Sequence, residues 1–393
     1  MKKYLSLFLA CLLLLCALTG CGQNGADPKK ENPGTEAPTG GETQKQLIGS
    51  NMFGTGAYAF DMYEYWIRSA VEGCGDTYTF LDDSYNADNT LDNIKSLVAS
   101  RVDGVVGFLF SDGAFASCAE YLNKNKVPFA STEEPSTEEL TNELRSYEYF
   151  LGSNVIDHVS AGREMAELAL ANGGTTAMII SQYVGNIAGE VRAASFTEAF
   201  TAGGGTVVGI VNATDASDAV SKAENLLLAN SNVDVVLGTG CDFAGAGVTI
   251  LQNHPEVDAK VYSIEIDENI ISCLKDGTIA GASGDSFMYS YFSGILLQHY
   301  LKTGEKVTDS DGKCLIFHIN PGILKPEMLD IYNKIFLSGV CPYTEEEVHW
   351  LVYEASAEEL RSAIENFGIE ERIQAQYKAG NLSESEMKAA GLL

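Results

Sequence analysis

Several stretches of the sequence hold residue types that could do chemistry, and each lacks a part that chemistry would need. Gly238-Thr-Gly240-Cys-Asp-Phe-Ala-Gly245 is glycine-rich enough to cradle a phosphate. It has neither the G-x-G-x-x-G spacing of a dinucleotide loop nor a P-loop lysine, so its glycines read as a close-packed wall. Gly281-Ala-Ser-Gly284 sets a serine between glycines without the spacing of a nucleophile elbow. The five histidines (His158, His254, His299, His318, His349) are scattered, and no serine or cysteine has an assignable base. The nine cysteines include no C-x-x-C pair and no Cys/His cluster at zinc spacing. These gaps point to a binding protein rather than an enzyme, with no catalytic residue, cofactor or metal.

What must position a binding site is a chain of 393 residues with 45% hydrophobic content. That is enough for two globular lobes at roughly 150 residues per domain. Acidic residues outnumber basic ones 54 to 25, for a formal charge of −29. Such a surface repels phosphate backbones and anionic headgroups, so nucleic acid is excluded as a partner.

Lys2 and Lys3 precede an apolar run from Tyr4 to Ala17, too short to span a bilayer comfortably but suited to a signal-peptide core. The run ends in Leu18-Thr-Gly-Cys21, which resembles the lipobox of bacterial lipoproteins. The resemblance implies that residues 1–20 are removed and that Cys21 carries the lipid, palmitate included. Residues 21–46 are rich in Gly, Pro, Thr and Glu and read as a flexible tether. The protein is therefore expected on the outer face of the cell membrane, held through the lipid alone. Cys74, Cys118, Cys241, Cys273, Cys314 and Cys341 mostly sit in apolar segments and are expected to stay reduced.

From Leu47 onward, short apolar runs alternate with amphipathic ones in two blocks that meet near Gly152. Val105–Phe110 is continuously apolar, as a parallel strand covered on both faces would be. Regular strand–helix alternation predicts right-handed crossovers and parallel sheets, hence an α/β fold of two doubly wound lobes. Ligands then bind beyond the carboxyl ends of the strands. Residues 327–393 differ. Thr344, Ser356 and Ser383 each precede a glutamate by three residues, the spacing of a capping box, and predict a helical extension packed on, or hanging from, the second lobe.

Six junction sequences fall in an order that resembles the sugar-type (type I) periplasmic binding proteins, the ribose-binding family. They are Val102-Asp-Gly-Val-Val106, Val127-Pro-Phe-Ala-Ser-Thr-Glu133, Ser160-Ala-Gly-Arg163, Arg192-Ala-Ala-Ser-Phe196, Cys241-Asp-Phe-Ala244 and Lys275-Asp-Gly-Thr-Ile279. The resemblance spans about residues 47–326. It implies a hinge crossed near Gly152–Asn154, Ser283–Ser286 and Ile316–Asn320. The first lobe would be 47–152 plus 285–315, and the second 153–284 plus 316–326.

The same resemblance implies the site. Arg192 takes the place of an arginine aimed at a ligand's ring oxygen and hydroxyls. Glu133 and Glu265 take the places of strand-end aspartates, each one methylene longer, and Asp285 that of a hinge glutamine. Asp112, Asn154, Cys241 and Asp242 complete the set, with Tyr58 or Phe60 available to stack on a ligand and Tyr183 a weaker candidate. Three departures mark the pocket as unusual: Glu134 where an arginine is common, Thr214 where an aromatic often stands, and Cys241 in place of an asparagine. With Glu133, Glu134, Glu265 and Asp285 against Arg192, neutral polyols or amine-bearing sugars are expected over anions. The implied role is that of a monomeric solute receptor delivering a sugar, polyol or amino sugar to an ABC permease. A nucleoside-type receptor, or a sensor partnering a membrane histidine kinase, is the alternative.

Overall fold

Apolar runs too short for helices take up the strands, and each is followed by a segment with one apolar face. The structure, a computed structural model, describes residues 45–284, 287–337 and 341–393. Cys21, the signal segment, all but the last two residues of the tether, and Asp285 lie outside the described residues. The first series is β1 (Leu47–Met52), α1 (Tyr58–Gly73), β2 (Thr77–Asp82), α2 (Asp88–Ala99), β3 (Gly104–Gly107), α3 (Asp112–Lys124), β4 (Phe129–Ser131), α4 (Glu138–Leu144) and β5 (Phe150–Ile156). The second is α5 (His158–Ala171), β6 (Thr176–Gln182), α6 (Ile187–Ala202), β7 (Thr206–Ala213), α7 (Ala216–Ala229), β8 (Val235–Gly238), α8 (Cys241–Asn253), β9 (Lys260–Ser263), α9 (Glu268–Asp276) and β10 (Ile279–Ser283). Then follow α10 (Met288–Thr303), β11 (Ile316–Ile319) and β12 (Ile323–Leu324).

The strands form two six-stranded sheets of the same order, β2-β1-β3-β4-β5-β11 and β7-β6-β8-β9-β10-β12. Their pairings are parallel except for β10 with β12. Every residue of β3 and β5 is buried, as expected of strands covered on both faces. The chain leaves the first sheet after β5, returns after β10 and leaves again between β11 and β12, giving two doubly wound lobes and three crossings. The first crossing lies further along than the resemblance implies, and the third falls at the far end of its expected range. Gly152–Asn154 fall inside β5, and Ile316–Ile319, expected with the second lobe, pair with Ser153–Ile156 in the first sheet. Each strand satisfies the other's backbone groups, so both stay in one sheet up to the hinge.

Helix α10 is buried from Met288 to His299 and packs on α1 and on β3, β4 and β5. The approach to α1 is close: a Cβ at Gly294 would come within 2.6 Å of the Ala70 Cβ. Only glycine admits that contact.

The extension is helical, with α11 (Leu329–Tyr332), α12 (Glu345–His349), α13 (Ala357–Glu365), α14 (Ile369–Lys378) and α15 (Glu384–Ala389). All three capping boxes form: Thr344 with Glu347, Ser356 with Glu359 and Ser383 with Glu386. It does not hang from the second lobe. Tyr343 stacks on Tyr291 of α10 at 5.9 Å, Phe367 meets Phe292 edge-on at 5.5 Å, and the Leu351 carbonyl lies 3.0 Å from His299 Nδ1. Ile369 fills the space beside Gly284 and Gly322 at two of the crossings. The apolar faces of these helices complete the core behind the hinge. Among the described residues, no helix is long and apolar enough to cross a membrane.

Candidate functional site

Strand order reverses between β1 and β3 in the first sheet and between β6 and β8 in the second. Loops leaving strands at such points diverge and open a crevice. Here the two crevices face each other across a cavity of about 520 Å³. That size lies within the ~300–1,000 Å³ of small-molecule sites.

The first lobe lines the cavity with rings. Tyr58, Phe60 and Tyr63 come from the first turns of α1, and Phe108 and Phe110 from the loop after β3. Tyr63 is the hub, with ring centroids 5.3 Å from Phe108, 5.8 Å from Phe287 and 5.0 Å from Tyr289. Phe110 stacks on Phe53 at 4.6 Å. Set among them, just past β4, is Glu133, which accepts a hydrogen bond from Tyr63. Glu133 keeps some contact with solvent through the cavity, yet it is enclosed deeply enough that desolvation, reinforced by the adjoining Glu134, pushes its carboxyl up to about 8.

The second lobe lines it with hydrogen-bonding groups. Arg192 projects from α6, is only 3% exposed, and donates from Nη1 to Glu265 Oε1 at 2.6 Å and to the Thr239 carbonyl at 2.8 Å. Its Nε donates to His158 Nδ1 at 3.2 Å. Burial, then the Arg192 charge, hold His158 down to about 3, so the imidazole is neutral and can accept that bond. Glu265 has φ of 92°, a left-handed conformation rare for a residue with a side chain. Such local strain persists where surrounding contacts impose it. Here the Arg192 bond and a 2.8 Å bond from Ser263 Oγ to the Glu265 carbonyl do so. Gln182, Cys241, Asp242 and Asp267 lie around this pair. Gly238 and Gly240 are closely packed, for a Cβ at Gly238 would sit 2.1 Å from the Ala244 nitrogen and one at Gly240 2.9 Å from Gln182 Nε2, whereas Gly245 has room for a side chain.

The structure therefore brings Tyr58, Glu133, Arg192, Cys241, Asp242 and Glu265 to one cavity. It places other expected residues elsewhere. Asp112 opens α3 and binds Ser136, whose backbone N–H donates at 2.8 Å. Asn154 is buried within β5 and donates to Ser293 of α10 at 3.2 Å, so its side chain ties helix to sheet. Glu134 turns away to His318, 3.1 Å distant, and Tyr183 is 54% exposed outside the lining. Sequence reasoning missed His158, Gln182, Tyr63, Phe108, Phe110, Asp267, Phe287 and Tyr289 as lining residues. The available signal was position: Gln182 and Phe108 sit at or just past strand ends.

The model of the family described as "Periplasmic binding protein domain" matches residues 44–306. No curated protein matches the chain. Many solved structures do. An arabinose binding protein from Geobacillus stearothermophilus superposes with a TM-score of 0.62 at 14% identity, over 74% of this chain and 99% of its own. A periplasmic ribose ABC transporter from Conexibacter woesei gives 0.61 at 19% identity, over 74% and 95%. A periplasmic solute binding protein from Actinobacillus succinogenes with bound D-allose gives 0.62 at 16% identity, over 73% and 100%. At such identities the likeness is one of fold.

Proposed function

The chain belongs to the periplasmic binding protein domain family, and from that premise we propose that it binds a sugar or sugar-like small molecule between its lobes and delivers it to a membrane permease of an ABC importer. It would work outside the cell, anchored through a lipidated Cys21. The observation that carries the reading is the facing of two unlike walls across one cavity, rings on one side and the Arg192–Glu265 pair on the other. A sugar ring needs both, because its faces are apolar and its edge is a belt of hydroxyls. Solved relatives of the same fold include proteins described with arabinose, ribose and allose. The arrangement binds without catalysing, and the two lobes close about the hinge on the ligand.

Calorimetry with a panel of pentoses, hexoses, polyols, amino sugars and nucleosides, paired with small-angle scattering, tests this. A sugar-like ligand should bind at micromolar concentrations or below and shrink the radius of gyration. Binding with an unchanged radius would refute cleft closure. A panel in which nucleosides alone bind would favour the nucleoside-type alternative, for which the stacked Phe53, Phe108 and Phe110 rings are the supporting feature.

A further inference from the structure

The charges lining the cavity do not balance. Arg192 is the only arginine or lysine among the described lining residues, and it is committed to Glu265. Glu133, Asp242 and Asp267 remain; Arg192 acts on Glu133 from a distance, but none of the three forms an ion pair among the described residues. Asp267 caps α9 by accepting from the Ile270 N–H at 2.7 Å, and Asp242 stands in the first turn of α8, so both have local uses. Glu133 has no helix to cap. It sits two residues past β4, bonded by the Tyr63 hydroxyl, and lines the cavity with the aromatic group gathered around Tyr63.

We propose that the ligand carries an ammonium or alkylammonium group and that Glu133, with the rings around Tyr63, receives it. The proposal rests on the small-molecule-binding reading above and narrows it to a cationic class. Aromatic faces attract a cation through their quadrupole, and more strongly where water is excluded. A carboxylate on the same wall supplies the opposite charge and a hydrogen-bond acceptor. A neutral polyol could satisfy the acceptors but would bring no positive charge to a carboxyl that the partly dry site otherwise keeps protonated. The upward shift of Glu133 agrees: the empty cavity holds a proton where the occupied one would hold a ligand's positive charge.

Binding should be compared for glucose and galactose, their 2-amino derivatives, their 2-acetamido derivatives and tetramethylammonium, using the full chain. The amine should bind at least tenfold more tightly than its neutral parent at neutral pH. Acetylation, which keeps the nitrogen and removes the charge, should abolish the preference. In Glu133→Gln the gap should narrow to about threefold or less. The acetamide comparison needs no variant, so it stands even if Glu133→Gln folds poorly. A neutral sugar that binds as tightly as its amine overturns this inference while leaving the sugar-receptor reading intact. Failure of the whole panel to bind or to raise the unfolding temperature overturns both.

Discussion

The first-lobe wall of the cleft is made of rings and the second-lobe wall of hydrogen-bonding groups, although both are loops at the switch point of sheets with the same strand order. The scaffold fixes where a ligand can sit. The few residues just past each strand end decide what holds it. On the second wall the polar groups are already bonded to one another, Arg192 to Glu265, Thr239 and His158, so their geometry is set before a ligand arrives. On the first wall, apart from Glu133, the contacts are mostly ring to ring, and they adapt to a ligand's shape more than they dictate it.

If that division holds, the largest loss should follow from Arg192. Arg192→Ala strands Glu265 and frees His158 to reorient, and truncating one member of a hydrogen-bonded charge pair costs about 3 kcal/mol, roughly 100-fold in affinity. Arg192→Lys should recover little, since a point charge cannot hold three partners at fixed angles. Calorimetry that finds Lys equivalent to Arg would break the claim that the wall is pre-set.

The two walls should also respond to pH in opposite senses. His158, facing Arg192 and His318, is held at about 3 against an ordinary 6.5, so the fold favours its neutral form. That contribution is intact above pH 6.5 and is lost as pH falls toward 3. Glu133, facing Glu134, Tyr63 and Arg192, is held at about 8 against an ordinary 4.5, so the fold favours its protonated form. Its contribution is intact below pH 4.5 and is lost as pH rises through 8. Denaturant unfolding of the ligand-free protein between roughly pH 4 and 9 should show both limbs, with Glu133→Gln flattening only the alkaline one. An unchanged alkaline limb in that variant would place the buried proton elsewhere.

Smaller effects sharpen the comparison. Phe110→Ala removes a stacked, half-exposed ring and should weaken a ring-shaped ligand by about 1 kcal/mol, some fivefold, with little change in unfolding. Asp112→Ala should leave affinity within about twofold, because that carboxylate is spent on Ser136. A loss as large as that of Phe110→Ala would mean the cleft extends further toward α3 than the cavity does.

The alternation of strands and helices was legible in the sequence because buried parallel strands are continuous apolar runs and the helices between them are not. The two lobes followed from it. The strand ends were less clear: Val105–Phe110 reads as one apolar run, yet β3 stops at Gly107. Phe108 and Phe110 therefore read as strand, although they line the cleft. Tyr63 carries no signal of the cleft, for it falls inside α1 at a spacing that a core residue would share. Asp112 and Asn154 have the chemistry of ligand-binding residues, but their partners Ser136 and Ser293 lie far along the chain, where spacing gives no hint of them. His158 shows the converse, since its bond to Arg192 exists only in the folded molecule.

The return of α10 and β11 to the first sheet has a consequence for the order in which the molecule can be built. A chain emerging from its N-terminus makes β5 and then the whole run from α5 to β10 before α10 can cover β3 to β5 and β11 can pair with β5. At ~5–20 residues per second, that wait is on the order of ten seconds. The lobe that comes first in sequence is thus completed after the body of the other, and until then the apolar face meant for Ile295, Leu296 and Leu297 stays uncovered. Whatever keeps the nascent chain from sticking to its neighbours has to act on that face during that interval.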